Sequence, residues 1–183
     1  MPIQCSVFIA TSLDGFIARS DGCIDWLEAA NTQAPAGEDF GYAAFMATVD
    51  AIVMGRQTFE SVQAFDPWPY GPTPVMVLSR HPRPLPPGTP NTVTLTDVPP
   101  AVLVAQLADR GYQRLYIDGG VTIQRFLAAH LIDDLTLTQI PVLLGTGRPL
   151  FGPLPHDLSL ELLSTRGYPC GFVQSHYRVV RDT

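Results

Sequence analysis

Two short segments combine glycine with hydroxyl or guanidinium side chains at a point where a strand is expected to lead into a helix. Residues 52–58 read IVMGRQT, and residues 116–122 read YIDGGVT. Glycine lets the backbone approach a ligand closely, and the start of a helix offers unpaired N–H groups and partial positive charge. Thr58 and Thr122 add hydroxyl donors, and Arg56 adds a charged fork. Two such turns would suit a pyrophosphate, although each alone is also typical of an ordinary strand–helix turn.

The common dinucleotide fingerprint is absent. The segment Gly145-Thr146-Gly147 begins like G-x-G-x-x-G, but Leu150 stands where the third glycine belongs and a proline interrupts the pattern. No P-loop pattern is present either. Any dinucleotide site in this chain is therefore expected to differ from the usual Rossmann type.

Composition excludes several classes of protein. The 183 residues are 46% hydrophobic and 15% charged, which favours a single globular domain over residues 1–183. A net charge of −6 without a basic stripe argues against nucleic acid, and the absence of lysine excludes Schiff-base chemistry. Cys5, Cys23 and Cys170 are far apart, and the histidines have no ligand spacing, so we expect no metal. No signal pattern or membrane-length apolar run is present, which favours a cytoplasmic protein without a membrane partner.

Strand and helix patterns alternate over the first two thirds of the chain. Apolar runs predict strands at 3–10, 51–54, 75–78, 92–96 and 115–117. Helical spacing predicts helices at 39–49, 100–110 and 121–130, and the proline-rich segments 66–74 and 81–90 are predicted to be loops. Leucine and threonine then alternate over 135–138, and strands at 158–163 and 172–180 form a hairpin. The pattern predicts an α/β fold with a mixed, mainly parallel sheet and helices on both faces.

Four motifs resemble one superfamily and occur in its order over residues 3–180. MGRQTFES is similar to the M-G-R-x-T-[WF]-E-S segment of dihydrofolate reductases. SLDGFIA resembles a loop of the reductase domain of bifunctional riboflavin-biosynthesis enzymes. YIDGGVTIQRFL and LIDDLTLTQIPVLLGTGRPLFG resemble the stand-alone members. The chain is identified as a member of the dihydrofolate reductase superfamily that resembles the C-terminal domain of the riboflavin-biosynthesis deaminase/reductase.

The resemblance implies a dihydrofolate-reductase-like fold, with an eight-stranded sheet ending in an antiparallel hairpin, and NADPH as cofactor. It also implies a homodimer, for which Leu135, Leu137, Ile140 and Val142 could supply the apolar surface, although these residues could instead all belong to the core. The cofactor contacts that it implies are Ala10 and Leu13 for the nicotinamide, Ser79 and Arg80 for the 2′-phosphate, and Gly55, Arg56, Thr58, Gly119, Gly120, Val121 and Thr122 for the phosphates.

The residues expected near the substrate differ from those of both the riboflavin reductases and the dihydrofolate reductases. Riboflavin reductases resemble K-x-A-x-S-L-D-G, but Phe8 stands at the lysine position, so a cationic contact to a phosphorylated substrate would be missing. True dihydrofolate reductases lack SLDG. Counting back from the shared M-G-R places Asp39 at their folate-binding carboxylate, with Glu38 as the alternative if the alignment contains a gap.

Three aspartates are candidate catalytic groups. Asp14 would lie near the nicotinamide, although Asp-Gly is also a common turn. Asp118 could face the substrate and the cofactor helix, or cap a loop. Asp39 could anchor the ring or cap a helix, and apolar neighbours such as Phe40 and Trp26 would raise its pKa enough for it to act as the acid. Trp26 is a candidate for the substrate pocket, or a core residue.

These residues predict an NADPH-dependent reductase that transfers hydride to a small pterin-like or pyrimidine-like ring. The main alternative is a module that binds NADP(H) without turnover, such as a redox sensor. A flavin-dependent enzyme is a third option. The physiological substrate and the proton donor are left open at this level.

Overall fold

The computed structural model describes residues 2–81 and 83–181. Eight strands form one sheet and two short strands form a second. The strands are β1 (Gln4–Ser12), β2 (Phe16–Ala18), β3 (Ala51–Gly55), β4 (Val75–Leu78), β5 (Val93–Thr96), β6 (Arg114–Asp118), β7 (Asp134–Ile140), β8 (Arg148–Pro149), β9 (Leu160–Gly167) and β10 (Val173–Val179). The helices are α1 (Asp25–Asn31), α2 (Tyr42–Met46), α3 (Arg56–Gln63), α4 (Pro100–Asp109) and α5 (Gly120–Ala128). No helix among the described residues is long and apolar enough to cross a membrane.

The strand order of the large sheet is β5-β4-β3-β6-β1-β7-β10-β9. The first six strands in this order are parallel, while β10 runs antiparallel to both β7 and β9. The predicted mixed, mainly parallel α/β fold with an antiparallel C-terminal hairpin is confirmed. Strands from both sides of the 81–90 segment belong to this one sheet, because β4 and β5 pair directly.

Alternating side chains of the sheet supply two separate parts of the core. On one face, Ala51 and Val53 pack with residues of α4 and α5 such as Leu107 and Phe126. On the other face, Ile52 and Met54 of β3 pack with Phe59 of α3. Two aromatic residues of α2, Tyr42 and Phe45, lie against the same cluster. A parallel strand with both faces covered explains the continuous apolar run that the sequence shows at β3.

The predicted helix over 39–49 is shorter in the structure, because α2 spans only Tyr42–Met46. Phe40 has a positive φ of 56° and leaves the helix to pack against Tyr168 and Phe172, with ring centroids 4.8 and 5.2 Å away. This aromatic contact with the C-terminal hairpin overrides the local helical pattern, since burial of a large ring outweighs weak helix propensity.

The expected apolar surface on β7 is wrong. Leu135 and Ile140 are buried, and Leu137 and Val142 are half-buried, because all four pack against the core clusters on the faces of the sheet. The exposed leucines lie instead on β9, the edge strand, where Leu160, Leu162 and Leu163 are all accessible. Alternation of leucine and threonine therefore predicted the strand β7 correctly, but it did not show which strand carries the exposed apolar side chains.

Candidate functional site

The two glycine turns lie side by side at the carboxyl ends of β3 and β6. These strands are neighbours, and their register pairs Met54 with Asp118. A Cβ atom on Gly55 would lie 3.1 Å from Thr122 Oγ1. A Cβ atom on Gly119 would overlap Thr58 Oγ1. Each glycine thus faces the threonine of the opposite turn, so the two helix starts pack closely against each other.

Gly119 and Gly120 have different structural roles. Gly119 has a φ of +88°, a conformation that side-chain-bearing residues rarely adopt. Gly120 has no such conformation, but a Cβ there would lie 2.9 Å from the Ile17 side chain and 3.2 Å from the carbonyl oxygen of Pro149. The requirement for glycine at 120 therefore comes from packing against β2 and β8. Of the two glycines, Gly119 is the one that a positive φ requires.

Arg56 and Ser79 meet across the neighbouring strands β3 and β4. The Arg56 Nε donates to Ser79 Oγ at 3.2 Å, and a terminal guanidinium nitrogen donates to the carbonyl oxygen of Arg83. The Arg80 side chain, next to Ser79, is exposed. The structure thus brings together the arginine and the serine that the sequence motifs single out, and Arg56 links Ser79 to Arg83.

The residues expected near a nicotinamide differ in exposure. Ala10 is half-buried near the end of β1, whereas 57% of Leu13 is exposed. Val121, at the start of α5, is 59% exposed although most apolar residues of that helix are buried. Exposed apolar side chains beside a polar turn are suited to contact the flat face of a ligand ring.

Asp118 is the aspartate with the surroundings of a proton donor. Its carboxyl is half-buried at the end of β6, and burial raises its pKa from the ordinary 3.8 to about 6. The Gly119 N–H donates to Asp118 Oδ1 at 2.8 Å, and this bond and the phenols of Tyr70 and Tyr116 lower the pKa against that effect. A carboxyl that titrates near neutrality can both hold and release a proton at physiological pH.

The expected apolar surroundings of Asp39 are wrong. Asp39 is exposed, and its two carboxylate oxygens accept the N–H groups of Gly41 at 2.9 Å and Ala43 at 2.8 Å. These bonds hold its pKa below the ordinary value, because they stabilise the charged form. Asp39 therefore serves the first turn of α2 as a cap, and the basis for placing the catalytic acid there is lost.

Asp14 joins two loops. Its carboxylate accepts the Ser12 hydroxyl at 2.6 Å and the backbone N–H groups of Leu144 at 3.1 Å and Gly145 at 2.7 Å. The bond from Ser12 is the main reason that its pKa lies below the ordinary value, so the ionised form is favoured. The geometry favours a structural role, in which Asp14 fixes the loop after β1 against the loop after β7.

Trp26 is a core residue rather than an open wall. It is 5% exposed and packs with Ile140, Tyr168 and Phe172. Its indole N–H is buried without a hydrogen-bond partner. The sequence left both interpretations open, and the burial of this α1 residue against the C-terminal hairpin shows that it belongs to the core.

Sequence reasoning missed the tyrosines around Asp118. Tyr116 lies two residues before Asp118 on β6 and so points to the same face of the sheet, a relation that strand periodicity could have revealed. Tyr42 comes from α2 and Tyr70 from the proline-rich 66–74 loop. Burial, followed by the charge of Asp118, raises the pKa of Tyr42 to about 12. Nothing local in the sequence of that loop indicates that Tyr70 reaches β6.

Two cavities lie away from the glycine turns. One of about 320 Å³ is lined by Phe40 and residues of the C-terminal hairpin. Another of about 710 Å³ lies at the amino ends of the strands, where Arg114 and Asp134 form an ion pair at 3.4 Å. Within residues 2–81 and 83–181, no three His, Cys, Asp or Glu side chains are placed to hold a metal.

Comparison with known proteins decides the family. The family model described as the RibD C-terminal domain matches residues 5–174. The chain belongs to the RibD C-terminal domain family. Membership confirms the resemblance that the sequence motifs carry, and the match includes both glycine turns and Asp118.

Relatives of the RibD C-terminal domain family share the fold over nearly the whole chain. The uncharacterized protein YwjB of Bacillus subtilis (strain 168) is 34% identical over 178 residues, which cover 93% of this chain and 95% of YwjB. A crystal structure from Shewanella sp. PV-4, provisionally named a riboflavin biosynthesis protein, is 42% identical with a TM-score of 0.91, covering 98% of this chain and 100% of that one. The RibD protein of Acinetobacter baumannii has a TM-score of 0.70 at 18% identity, covering 97% of this chain and 58% of that one, which shows the shared fold.

Proposed function

We propose that this protein is an NADPH-dependent reductase of a small pyrimidine-like or pterin-like heterocycle. The observation that carries the proposal is the contact between the two turns, with Gly55 against Thr122 and Gly119 against Thr58, directly beside a carboxyl that titrates near pH 6. The first part of this arrangement fits a pyrophosphate, and the second part fits proton transfer to a ring.

The residues present fit the proposed cofactor. Two helices, α3 and α5, begin at these turns, and the first N–H groups of a helix have no partner within the helix, so they could bind phosphate oxygens. Arg56 and Ser79 lie together one strand further along the sheet, next to the exposed Arg80, and they could bind a phosphate monoester on the adenosine. When bound, NADPH supplies the hydride.

The protein's own contribution to the reaction would be orientation and proton transfer. Hydride addition to the carbon of a C=N bond leaves an electron pair and negative charge on nitrogen. Asp118 would donate the proton that neutralises this nitrogen and would be reprotonated from solvent. A carboxyl pKa near 6 makes this transfer feasible, because a substantial fraction of Asp118 is protonated around that pH.

The experiment that tests the function has two steps. Quenching or enhancement of nicotinamide fluorescence measures NADPH binding, and loss of nicotinamide absorbance in the presence of pyrimidine and pterin substrates measures turnover. Binding together with turnover is the expected result. Binding without turnover across such a panel would favour a module that holds NADP(H) and does not oxidise it. A failure to bind NADPH would contradict the proposal itself.

Cofactor preference follows from the arginines beside the Ser79 hydroxyl. We expect NADPH to bind more tightly than NADH by roughly 1–3 kcal/mol, the range for hydrogen bonds to charged groups. Arg80→Ala should narrow this difference, while Arg110→Ala, which removes an exposed arginine at the end of α4, should leave it unchanged. Fluorescence titration with both cofactors measures the effect. Equal affinity of the wild-type protein for the two cofactors would contradict this assignment.

We also propose a homodimer that uses the exposed leucines of β9. Three large apolar side chains on one edge strand are unusual without a partner, since an exposed strand edge invites pairing. Light scattering at micromolar concentration should give twice the 19.9 kDa of one chain. Leu162→Glu should shift the mass to the monomer, whereas Val102→Glu on α4 should not. A wild-type mass near 19.9 kDa would refute the dimer.

A further inference from the structure

The smaller cavity, of about 320 Å³, lies between the 40–41 turn and the C-terminal hairpin. It is lined by Phe40, Gly41, Ser164, Thr165, Arg166, Tyr168, Gln174 and His176. Its volume falls within the range of roughly 300–1,000 Å³ that is typical of small-molecule sites. Among the described residues that line it, none is an aspartate or a glutamate, whereas an arginine and a histidine are present.

The register of four neighbouring strands places this cavity on the same face of the sheet as Ala10. Ala10 of β1 pairs with Thr138 of β7, and Thr138 pairs with Gln174 of β10. Gln174 in turn pairs with Arg166 of β9. Paired residues point to the same face, and neighbouring strands lie about 4.8 Å apart, so the backbones of Ala10 and Arg166 are roughly 14 Å apart. The glycine turns are further away, because β6 and β3 lie on the other side of β1.

Hydrogen bonds and aromatic contacts fix one wall of the cavity. The Gln174 side-chain amide donates to the Phe40 carbonyl oxygen and to Thr138 Oγ1, both at 2.9 Å. The Tyr168 hydroxyl donates to Gln174 Oε1 at 3.4 Å, and the Tyr168 ring meets the Phe40 ring edge-on with centroids 4.8 Å apart. This wall is therefore aromatic and is held in place by contacts between the 40–41 turn, β7 and the hairpin.

Arg166 supplies the positive charge of the cavity. Its guanidinium lies over the Tyr168 ring, 4.5 Å from the centroid. Within residues 2–81 and 83–181, Arg166 forms no ion pair with a carboxylate. A guanidinium presents N–H donors in a rigid fork that matches a carboxylate, and it remains charged while it stacks on an aromatic ring. Arg166 is therefore available to bind an anionic ligand.

Ser164 and His176 add polar groups to the same cavity. They are paired residues of β9 and β10. His176 Nε2 lies 3.4 Å from Asp134 Oδ1, while Asp134 Oδ2 accepts the Gln4 amide at 2.6 Å and the Ser6 hydroxyl at 2.8 Å. The Asp134 charge is thus stabilised by its own partners. The Ser164 hydroxyl and the other ring nitrogen of His176 can contact a ligand.

The carboxylates of the adjoining turn bind the backbone of that turn. Glu38 accepts the Phe40 N–H at 2.8 Å, and Asp39 accepts the N–H groups of Gly41 and Ala43. Neither carboxylate lines the cavity. A ligand in the cavity therefore meets a guanidinium, hydroxyl groups and two aromatic rings, which is the chemistry that suits a flat ring bearing a carboxylate.

We propose that this cavity is a binding site for a small planar carboxylate, whose charged end is bound by Arg166 and whose ring lies against Phe40 and Tyr168. The site goes beyond the proposed reductase function and does not depend on it, because none of its residues belongs to the glycine turns. It selects the charge of the ligand through the guanidinium and its flat shape through the aromatic wall.

The test is an NMR titration of the full chain with benzoate and with benzamide, a neutral probe of matched shape. Benzoate should shift the backbone amide resonance of Gly41 and bind at least about tenfold more tightly than benzamide, as expected for hydrogen bonds between charged groups. Arg166→Gln should weaken benzoate by about tenfold for the same reason. Arg125→Gln, which removes an exposed arginine at the end of α5, should leave the affinity unchanged. Saturation with NADPH should also leave it unchanged.

Equal affinity for benzoate and benzamide, or unchanged benzoate affinity in Arg166→Gln, would refute the carboxylate site. Tighter binding of inorganic phosphate than of benzoate would contradict the proposal as well, because the cavity would then select a tetrahedral anion. Loss of benzoate binding on saturation with NADPH would overturn the separation of the two sites. A protein that binds benzoate at Arg166 but does not bind NADPH would contradict the proposed reductase function and support this site.

Discussion

Asp118→Asn should make the protein more stable near pH 8 while lowering kcat/KM by about 100-fold or more, the usual scale for a lost general acid. Folding raises the pKa of Asp118 from 3.8 to about 6, so the folded state holds this proton more tightly than the unfolded chain. The stabilising contribution is complete below about pH 4 and is lost as the pH rises through about 6. Above that, the ionised carboxyl costs up to about 3 kcal/mol, which an asparagine would not.

The free energy of unfolding measured in urea at about pH 8 and pH 4.5 tests the stability part of this prediction. The variant should exceed the wild type at the higher pH, and the difference should shrink at the lower one. Asp14→Asn is a control with the opposite sign, because the pKa of Asp14 is lowered by its bonds to Ser12 and the 144–145 backbone. It should reduce stability at pH 8. If Asp118→Asn had the stability of the wild type at both pH values, the ionised Asp118 carboxyl would not destabilise the folded protein.

The catalytic part depends on the same shift. In the wild type, kcat/KM should fall as the pH rises through about 6, because the protonated fraction of Asp118 decreases. Asp118→Asn should lose this dependence along with most of the activity. A variant that keeps wild-type turnover would exclude Asp118 as the proton donor.

Gly119→Ala should reduce NADPH affinity by about tenfold or more and also destabilise the fold. The added methyl group would overlap Thr58 Oγ1, and alanine at a φ of +88° adds strain of roughly 1–2 kcal/mol. Relief of the overlap requires the two turns to separate, and the backbone N–H groups at both helix starts would then move apart. A displacement that loses 1.4 kcal/mol of binding already corresponds to about tenfold in affinity.

Gly111→Ala is the matched control for backbone strain. Gly111 has the same φ of +88°, but a Cβ atom there would meet nothing within 4 Å. Both variants should lose stability, measured by urea unfolding, and only Gly119→Ala should lose NADPH affinity, measured by fluorescence titration. Equal losses of affinity in the two variants would show that the effect comes from general destabilisation. Normal NADPH binding by Gly119→Ala would remove the second turn from the cofactor site.

Local sequence patterns were sufficient for the strands and turns that dominate the site. The apolar run at 75–78 matches β4 residue for residue, and the strands predicted at 51–54 and 115–117 lie within β3 and β6. Glycine before a helical pattern marked both turns, and at Gly119 the positive φ is a requirement of the backbone itself. Such requirements are local and therefore visible in a single sequence.

The identity of the acid depended on distant contacts. Asp39 and Asp118 look alike in sequence, since each adjoins apolar residues, yet one is exposed with a lowered pKa and the other is half-buried with a raised one. The difference arises because the exposed Asp39 accepts the N–H groups of Gly41 and Ala43, whereas Asp118 ends a central strand, where burial is the largest influence on its pKa. Desolvation is set by what folds over a group, which neighbours in sequence do not reveal.

The sequence by itself determined the α/β class, the family and the two glycine turns, because hydrophobic periodicity and backbone constraints act over a few residues. Only the tertiary structure decided that these turns face each other, that Trp26 is core, and that the exposed leucines lie on β9. Each of these depends on strand order and on pairings between residues far apart in the chain, such as Met54 with Asp118. Strand order follows from the packing of the whole sheet, and no local pattern encodes it.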